Sequence, residues 1–307
     1  MTTVIVGATA VGKSSLAMAL ARRYGAAGQR AEIVNADAMQ VYRGMDIGTA
    51  KPTPAERDEI PHHLLDLLDV TETATVAEFQ QLARGAIEDC RARGVVPLVV
   101  GGSALYVRAI VDDFRFPGTD AGLRTALESE LAELGAASLH ERLARLDPVA
   151  AAAILPGNGR RVVRALEVVA LTGGPYAASL PPRHYLLHDV VQLGLDLDRS
   201  TLDARITARV DAMWEAGFVE EVRRLADRGL RDGLTASRAL GYRQILQLLD
   251  GAVDEAQARH LTVVGTRKFA RRQDSWFRKD ERVAWLPATA ADVAELAFAV
   301  SAASEVA

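Results

Sequence analysis

Residues 7–14 read GATAVGKS and satisfy G-x-x-x-x-G-K-[ST] at every fixed position. The run before them, TVIV, is short and β-branched, and the run after them, SLAMALARRYG, repeats leucine and alanine at helical spacing. Strand, glycine-bounded loop and helix in that order leave few folds open. Gly7 and Gly12 let the backbone wrap so that the amides of Ala8, Thr9, Ala10 and Val11 turn inward. The helix start adds positive dipole, Lys13 a point charge, and Ser14 a hydroxyl suited to Mg²⁺. Residues 7–14 are therefore expected to bind a nucleotide or another diphosphate, with Ser14 as the metal ligand.

The next segments extend the pattern. EIVNAD ends at Asp37, and a helix from about Val76 to Arg93 leads through Gly94 into the apolar run VVPLVV and then GGSALYVRAI. Strands that are apolar throughout, alternating with helices, imply an α/β fold with a parallel sheet covered on both faces. Ligands then bind at the carboxyl ends of the strands. The pattern changes at DDFRFPGTD, residues 112–120, after which only helices are expected until VVQLGLDL at 190–197. Leu123, Leu127, Leu131 and Leu134 recur at helical spacing, Asp147-Pro148 reads as a helix start, and Gly173-Gly174 as a stop. The expected organisation is a P-loop core over 1–112 and 190–307, interrupted by a helical insertion domain at 113–189. Long helices, one of them basic, and a short VAWLP strand follow.

Composition narrows the function classes. With 49% hydrophobic and 25% charged residues, 307 residues can bury a sizeable core. Cys90 is the one cysteine, which excludes an intrachain disulfide or a zinc ribbon. With no basic leader in MTTVIVGA and no membrane-length apolar run, the expectation is a cytoplasmic protein with no membrane partner; a monomer is expected as well, although none of these features bears on it. The formal charge of −4 hides eight Lys or Arg against three acidic residues between Arg259 and Arg282. Because the chain has four lysines and 32 arginines, position rather than abundance must carry any argument about arginine.

The loop alone does not fix a reaction. No N-K-x-D guanine motif is present, and VVPLVV runs into Gly101-Gly102-Ser103 rather than a Walker-B acid. A small-molecule kinase with Arg160, Arg161 and Arg164 as lid arginines stays open at this point.

Six further blocks narrow the choice: NADAMQVYRGMDIGTAKP at 35–52, PHHLLD at 61–66, VGGSALY at 100–106, RRVVRALEV at 160–168, RALGYRQ at 238–244 and RRQDSWFR at 271–278. Together with the P-loop, in this order along nearly the whole chain, they resemble the tRNA dimethylallyltransferase family. The resemblance implies Mg²⁺-dependent transfer of a dimethylallyl group from dimethylallyl diphosphate to the exocyclic amine of the adenosine beside the tRNA anticodon. It also implies a P-loop core with a helical insert. Three positions depart from the family pattern: Ala8 for its proline, Ala38 for its serine and Ser103 for its threonine. Serine keeps the hydroxyl; alanine at 38 removes one. The alternatives are a P-loop kinase, an isopentenyltransferase of free adenine nucleotides, and a non-catalytic RNA-binding module.

On that resemblance Asp37, Lys13, Ser103 and Arg124 are the catalytic candidates. Asp37 ends a strand at the ligand edge and suits a base for the amine, although a turn cap would also explain it. Ser103 suits the reacting centre and equally a helix N-cap. Contacts to the tRNA anticodon stem-loop are expected from Asp37, Ala38, Met39 and Gln40, and from Arg238, Gly241, Tyr242 and Arg243.

Two basic helix faces add to these. Arg160, Arg161 and Arg164 span about a 100° arc, and Arg271 and Arg278 fall within about 40° of Arg267, with Leu261, Phe269 and Trp276 on the other flank. Arg272 joins the second group. His62 and His63 point in different directions on any regular element, and His184 and His188 lack a third ligand for a metal. Trp214 reads as core.

Overall fold

The computed structural model of the chain describes residues 1–177 and 181–303. In chain order, β1 (Thr2–Val6), α1 (Lys13–Ala26), β2 (Ala31–Asn35), α2 (Pro54–Glu59), β3 (His62–His63), α3 (Val76–Ala92), β4 (Val96–Val100) and α4 (Ala104–Val111) open the first unit. The second unit, Asp113–His184, holds α5 (Ala121–Leu146), α6 (Pro148–Ala153) and α7 (Gly159–Thr172). The chain then returns to the first unit with β5 (Val190–Asp196), α8 (Arg199–Glu215), α9 (Phe218–Asp227), α10 (Tyr242–Leu249), α11 (Glu255–Phe277), β6 (Val283–Pro287) and α12 (Val293–Ala303).

Among the described residues six strands form one sheet in the order β3-β2-β4-β1-β5-β6, every neighbouring pair parallel. β1 and β2 are buried along their whole length because both faces are covered. Alternation divides them: Val4, Val6, Val34 and Val99 pack with Phe79, Phe218 and Tyr242 on one face, while Ile5, Ile33 and Leu98 pack with Leu16, Leu20 and Ile206 on the other. The order also separates β1 from β2 by β4, so the loops after β1, β2 and β4 converge on one edge.

The helical unit has its own core of Leu127, Leu139, Leu143, Val162, Val163 and Leu166. Asp147 caps α6 by accepting from the Ala150 amide with Pro148 at the first turn, and Gly173 closes α7 in the left-handed region. The chain re-enters the first unit at Tyr185, five residues before the expected boundary at Val190. Leu186 donates its amide to Val111 O, and Asp112 bridges Tyr185, so 185–189 are tied to the end of α4. The two-residue β3 is too short to show a period in the sequence; it exists because His62 and His63 pair with Ile33 and Val34.

Candidate active site

The phosphate loop follows β1, and its backbone does what its sequence requires. Gly7 and Gly12 take φ of 140° and 114°, a region that a side chain would strain. Gly12 caps α1 without a side-chain hydrogen bond, which leaves the first amides of the helix for an anion. Lys13 donates to Ala8 O at 2.7 Å. Burial pushes its ammonium down to about 8, Asp37 opposing and Arg209 adding to the shift. The Ser14 hydroxyl faces the same cavity and has no hydrogen-bond partner among the described residues.

Asp37 lies just past β2. Its Oδ1 accepts from the Met39 amide at 2.8 Å, and its own amide donates to Asn35 Oδ1 at 2.8 Å. The side chain is therefore a turn cap and a cavity group at once: one oxygen shapes the turn, and the carboxylate lines two cavities that meet at it. The first, about 360 Å³, is lined by Lys13, Ser14, His62 and Gln273. The second, about 450 Å³, is lined by Met39, Ile206, Val210, Met213 and Phe218, with Ser103, Arg238, Arg243 and Arg272 among its polar groups. Thr9, Asp37, Thr49, Arg209 and Phe269 line both. Ser103 occupies the N-cap position of α4, yet its side chain makes no capping hydrogen bond, so its hydroxyl is available to the second cavity.

Three groups with no role in the sequence reading hold this arrangement. Arg209 on α8 faces both cavities, and its nearest hydrogen-bond acceptor is Thr49 O at 3.5 Å. Burial pushes its guanidinium below the ordinary arginine range, with Asp37 opposing. Gln273 on α11 accepts from the Thr9 amide at 2.8 Å and donates to Gly102 O at 2.8 Å, clamping the phosphate loop to the loop after β4. A Cβ on Gly102 would lie 2.3 Å from the Gln273 amide nitrogen, so this glycine is needed for the approach. Glu221 on α9 accepts from the amides of Ile47 at 2.7 Å, Asp46 at 3.2 Å and Gly48 at 3.3 Å, which fixes the loop carrying Thr49. Gln273 stands inside a quoted block, RRQDSWFR; Arg209 and Glu221 stand in amphipathic helices whose pattern gives no signal beyond core and surface.

Several of the residues expected to contact tRNA have partners within the chain. Tyr242 is fully buried, donates its hydroxyl to Glu221 at 2.7 Å and forms part of the wall of the second cavity, and Gly241 (φ 88°) sits against Phe218. Arg267 donates to Thr207 Oγ1 at 2.9 Å, and Arg278 pairs with Asp196 and Asp274 and lies over the Trp285 ring. Two of the three arginines in the tail stripe thus have intrachain partners, and Leu261 and Trp276 on its apolar flank are exposed. Arg271 and Arg272 are exposed on α11.

Within the helical unit Arg160 and Arg161 are exposed on α7, whereas Arg164 donates to Pro117 O at 2.7 Å and to Glu167 at 2.7 Å. Arg124 also closes on Glu167. Glu167 is fully buried and accepts further from Thr119 Oγ1 at 2.6 Å. Burial pushes its carboxyl up, but the bonds from Arg124, Thr119, Arg164 and the Asp120 amide prevail and hold it near 2. His184 and His188 lie outside any helix. Trp214 packs against the core cluster around Phe218.

The first unit is thus a P-loop NTPase-like core whose cavities pair a cationic, amide-rich end with an apolar one, the layout of a transferase acting on a phosphorylated donor. The family model described as IPP transferase matches residues 40–280, and the chain belongs to that family. A tRNA dimethylallyltransferase of Thermobifida fusca is 60% identical over 98% of this chain and 94% of its own length. One of Kineococcus radiotolerans is 64% identical over 92% and 90%. Among solved structures, the tRNA isopentenylpyrophosphate transferase of Bacillus halodurans superposes with a TM-score of 0.72 at 39% identity, covering 99% of this chain and 97% of that one. Among the described residues no helix is long and apolar enough to cross a membrane.

Proposed function

We propose that this chain transfers a dimethylallyl group from dimethylallyl diphosphate to the exocyclic amine of the adenosine beside the anticodon of tRNA, in the cytoplasm and as a monomer. The observation that carries the reading is the place of Asp37, where a cationic cavity and an apolar one meet. The diphosphate occupies the first, against the loop amides, Lys13 and Arg209. The five-carbon chain and the incoming base fill the second, beside Met39, Met213 and Phe269. The amine nitrogen attacks C1 of the dimethylallyl group, the C1–O bond breaks with its electron pair leaving on the diphosphate, and Asp37 takes the amine proton.

The cost of separating charge at the departing oxygen is met by groups already oriented toward it, which is why Lys13 and Arg209 matter more than any contact made equally to substrate. Ser103 supplies a hydroxyl to the reacting centre. Mg²⁺, when bound, neutralises diphosphate charge; the unpartnered Ser14 hydroxyl is a hard oxygen donor that fits it.

The target adenosine must leave its stack to reach Asp37, at a cost of a few kcal/mol that backbone contacts offset. Arg238, Arg243 and Arg272 at the second cavity are suited to those contacts, with Ala38, Met39 and Gln40 at the turn that receives the base. Arg160 and Arg161 add exposed charge on α7. We assign Arg124 to the Glu167 pair rather than to the diphosphate.

The test is one assay with Mg²⁺, labelled dimethylallyl diphosphate and either tRNA or AMP. Label is expected in tRNA. Label in AMP alone would give the free-nucleotide reading, and ATP hydrolysis or phosphoryl transfer without prenylation the kinase reading; either result rejects the proposal.

A further inference from the structure

Away from the cavities, a carboxylate, an imidazole and a thiol converge beneath the edge of the sheet. Glu32 and Val34 point to one face of β2, and His63 pairs with Val34, so Glu32 and His63 share the face that α3 covers. Cys90, near the end of α3, is buried against them. His63 Nε2 lies 2.8 Å from Glu32 Oε2, Cys90 Sγ lies 3.5 Å from the same oxygen, and Cys90 Sγ lies 3.7 Å from His63 Nε2.

We propose that Glu32, His63 and Cys90 form a site for a thiophilic divalent cation of the zinc class. A tetrahedral ion with bonds of about 2.3 Å to sulfur and about 2.0–2.1 Å to nitrogen or oxygen spaces its ligands at about 3.5 Å for sulfur edges and about 3.3 Å for the nitrogen–oxygen edge. The two sulfur edges found here fall at that spacing before any ion is bound. The third needs to open by about half an ångström, within reach of a rotation of the His63 ring.

The Cys90 sulfur and His63 imidazole prefer a thiophilic or borderline ion, so despite the hard Glu32 oxygen the set selects against the Mg²⁺ suited to Ser14. The charge of the ion is meanwhile supplied by Arg93, which donates to both Glu32 oxygens at 2.7 Å and lies 3.6 Å from Cys90 Sγ. Arg93 also pairs with Asp89 at 2.8 Å and is partly exposed, so it can withdraw onto Asp89 and free a carboxylate oxygen. His63 is the partly exposed member and gives the entry path. On binding, the Cys90 thiol loses its proton to solvent, His63 carries its proton on Nδ1, and solvent fills the fourth position. His62, the preceding residue on β3, lines the cationic cavity, so an ion on His63 would fix the strand that carries it.

The probe is Co²⁺ added to the full chain after dialysis against a chelator, followed by Zn²⁺ competition. One equivalent should give a sulfur-to-cobalt charge-transfer band that Zn²⁺ displaces. Cys90→Ser should abolish the band and weaken Zn²⁺ binding at least about tenfold, while Arg93→Gln, which removes the competing positive charge, should tighten it. A cobalt complex with no sulfur band, or equal Zn²⁺ affinity in wild type and Cys90→Ser, would overturn the proposal. If Cys90→Ser melts before binding can be read, the wild-type cobalt spectrum alone decides.

Discussion

Arg209 of the core and the pair Arg124 and Arg164 of the helical unit are held in opposite ways. In the core, Arg209 has one weak carbonyl acceptor, Thr49 O at 3.5 Å, and faces a cavity it shares with Lys13. In the helical unit Arg124 and Arg164 close on one buried carboxylate, Glu167. The core therefore leaves positive charge undercompensated, where an anionic ligand completes it, whereas the helical unit spends two of its cations on folding. In a chain with 32 arginines, an arginine marks a ligand site when its partners are missing, not when its neighbours are numerous.

The largest expected effect tests the folding side of that contrast. Glu167→Gln leaves two guanidinium groups facing a neutral amide and should destabilise the helical unit by about 3–5 kcal/mol, read by denaturant unfolding. The sign with pH follows from its depressed carboxyl. The ordinary glutamate value is 4.5 and the folded value about 2, so the stabilisation is complete above about 4.5 and is lost as pH falls through 2. The variant should lack that acid transition while the core's phosphate loop still binds dimethylallyl diphosphate. Unchanged stability in Glu167→Gln would place Arg124 and Arg164 back among free cations.

Next comes the chemical side. Arg209→Gln and Lys13→Ala should each lower single-turnover prenylation by about 10²–10³, since each removes a preoriented charge at the leaving oxygen. Affinity for tRNA should change little, and Asp37→Ala should share that profile. An Arg209→Gln enzyme with normal turnover would mean that the cavity's undercompensated charge is incidental.

Gln273→Leu lies between these cases, because the residue touches two loops rather than the reacting atoms. It strands the Thr9 amide and Gly102 O, each worth about 1–3 kcal/mol when buried without a partner. The expected result is a fall in kcat with the salt dependence of tRNA binding retained. Gln273→Glu, which keeps the acceptor for Thr9, should recover part of the loss.

The outline of the core was legible because its signals are local. GATAVGKS states its own backbone, the β-branched runs state the buried strands, and Asp147-Pro148 with Gly173 states two helix ends. Asp37 and Ser103 were legible as positions, though their roles needed geometry: Asp37 caps its turn with one oxygen and still lines the cavities, while Ser103 leaves the capping bond unmade. What stayed hidden depends on distant pairing. Arg209, Gln273 and Glu221 meet residues more than 150 positions away, and β3 is two residues recruited by the edge of β2. The partners of the tail stripe stayed hidden for the same reason, since helical spacing showed that Arg267 and Arg278 share a side but not that Thr207 and Asp196 wait there.

Those hidden partners give the finest test of the comparison, along one helix and its C-cap. On α11, Arg271 and Arg272 have no charged partner among the described residues, whereas Arg267 and, at the C-cap, Arg278 are bonded within the chain. Counterion release ties the salt slope of RNA binding to the number of phosphates neutralised, about 0.7–0.9 in log–log slope for each contact. Arg271→Ala with Arg272→Ala should therefore flatten the slope by one to two such increments, leaving thermal stability nearly untouched. Arg267→Ala with Arg278→Ala should do the reverse, lowering stability by about 1 kcal/mol, as expected for partly exposed pairs, with the slope retained. Equal slopes in the two double variants would show that partnering within the chain does not decide which arginines meet RNA.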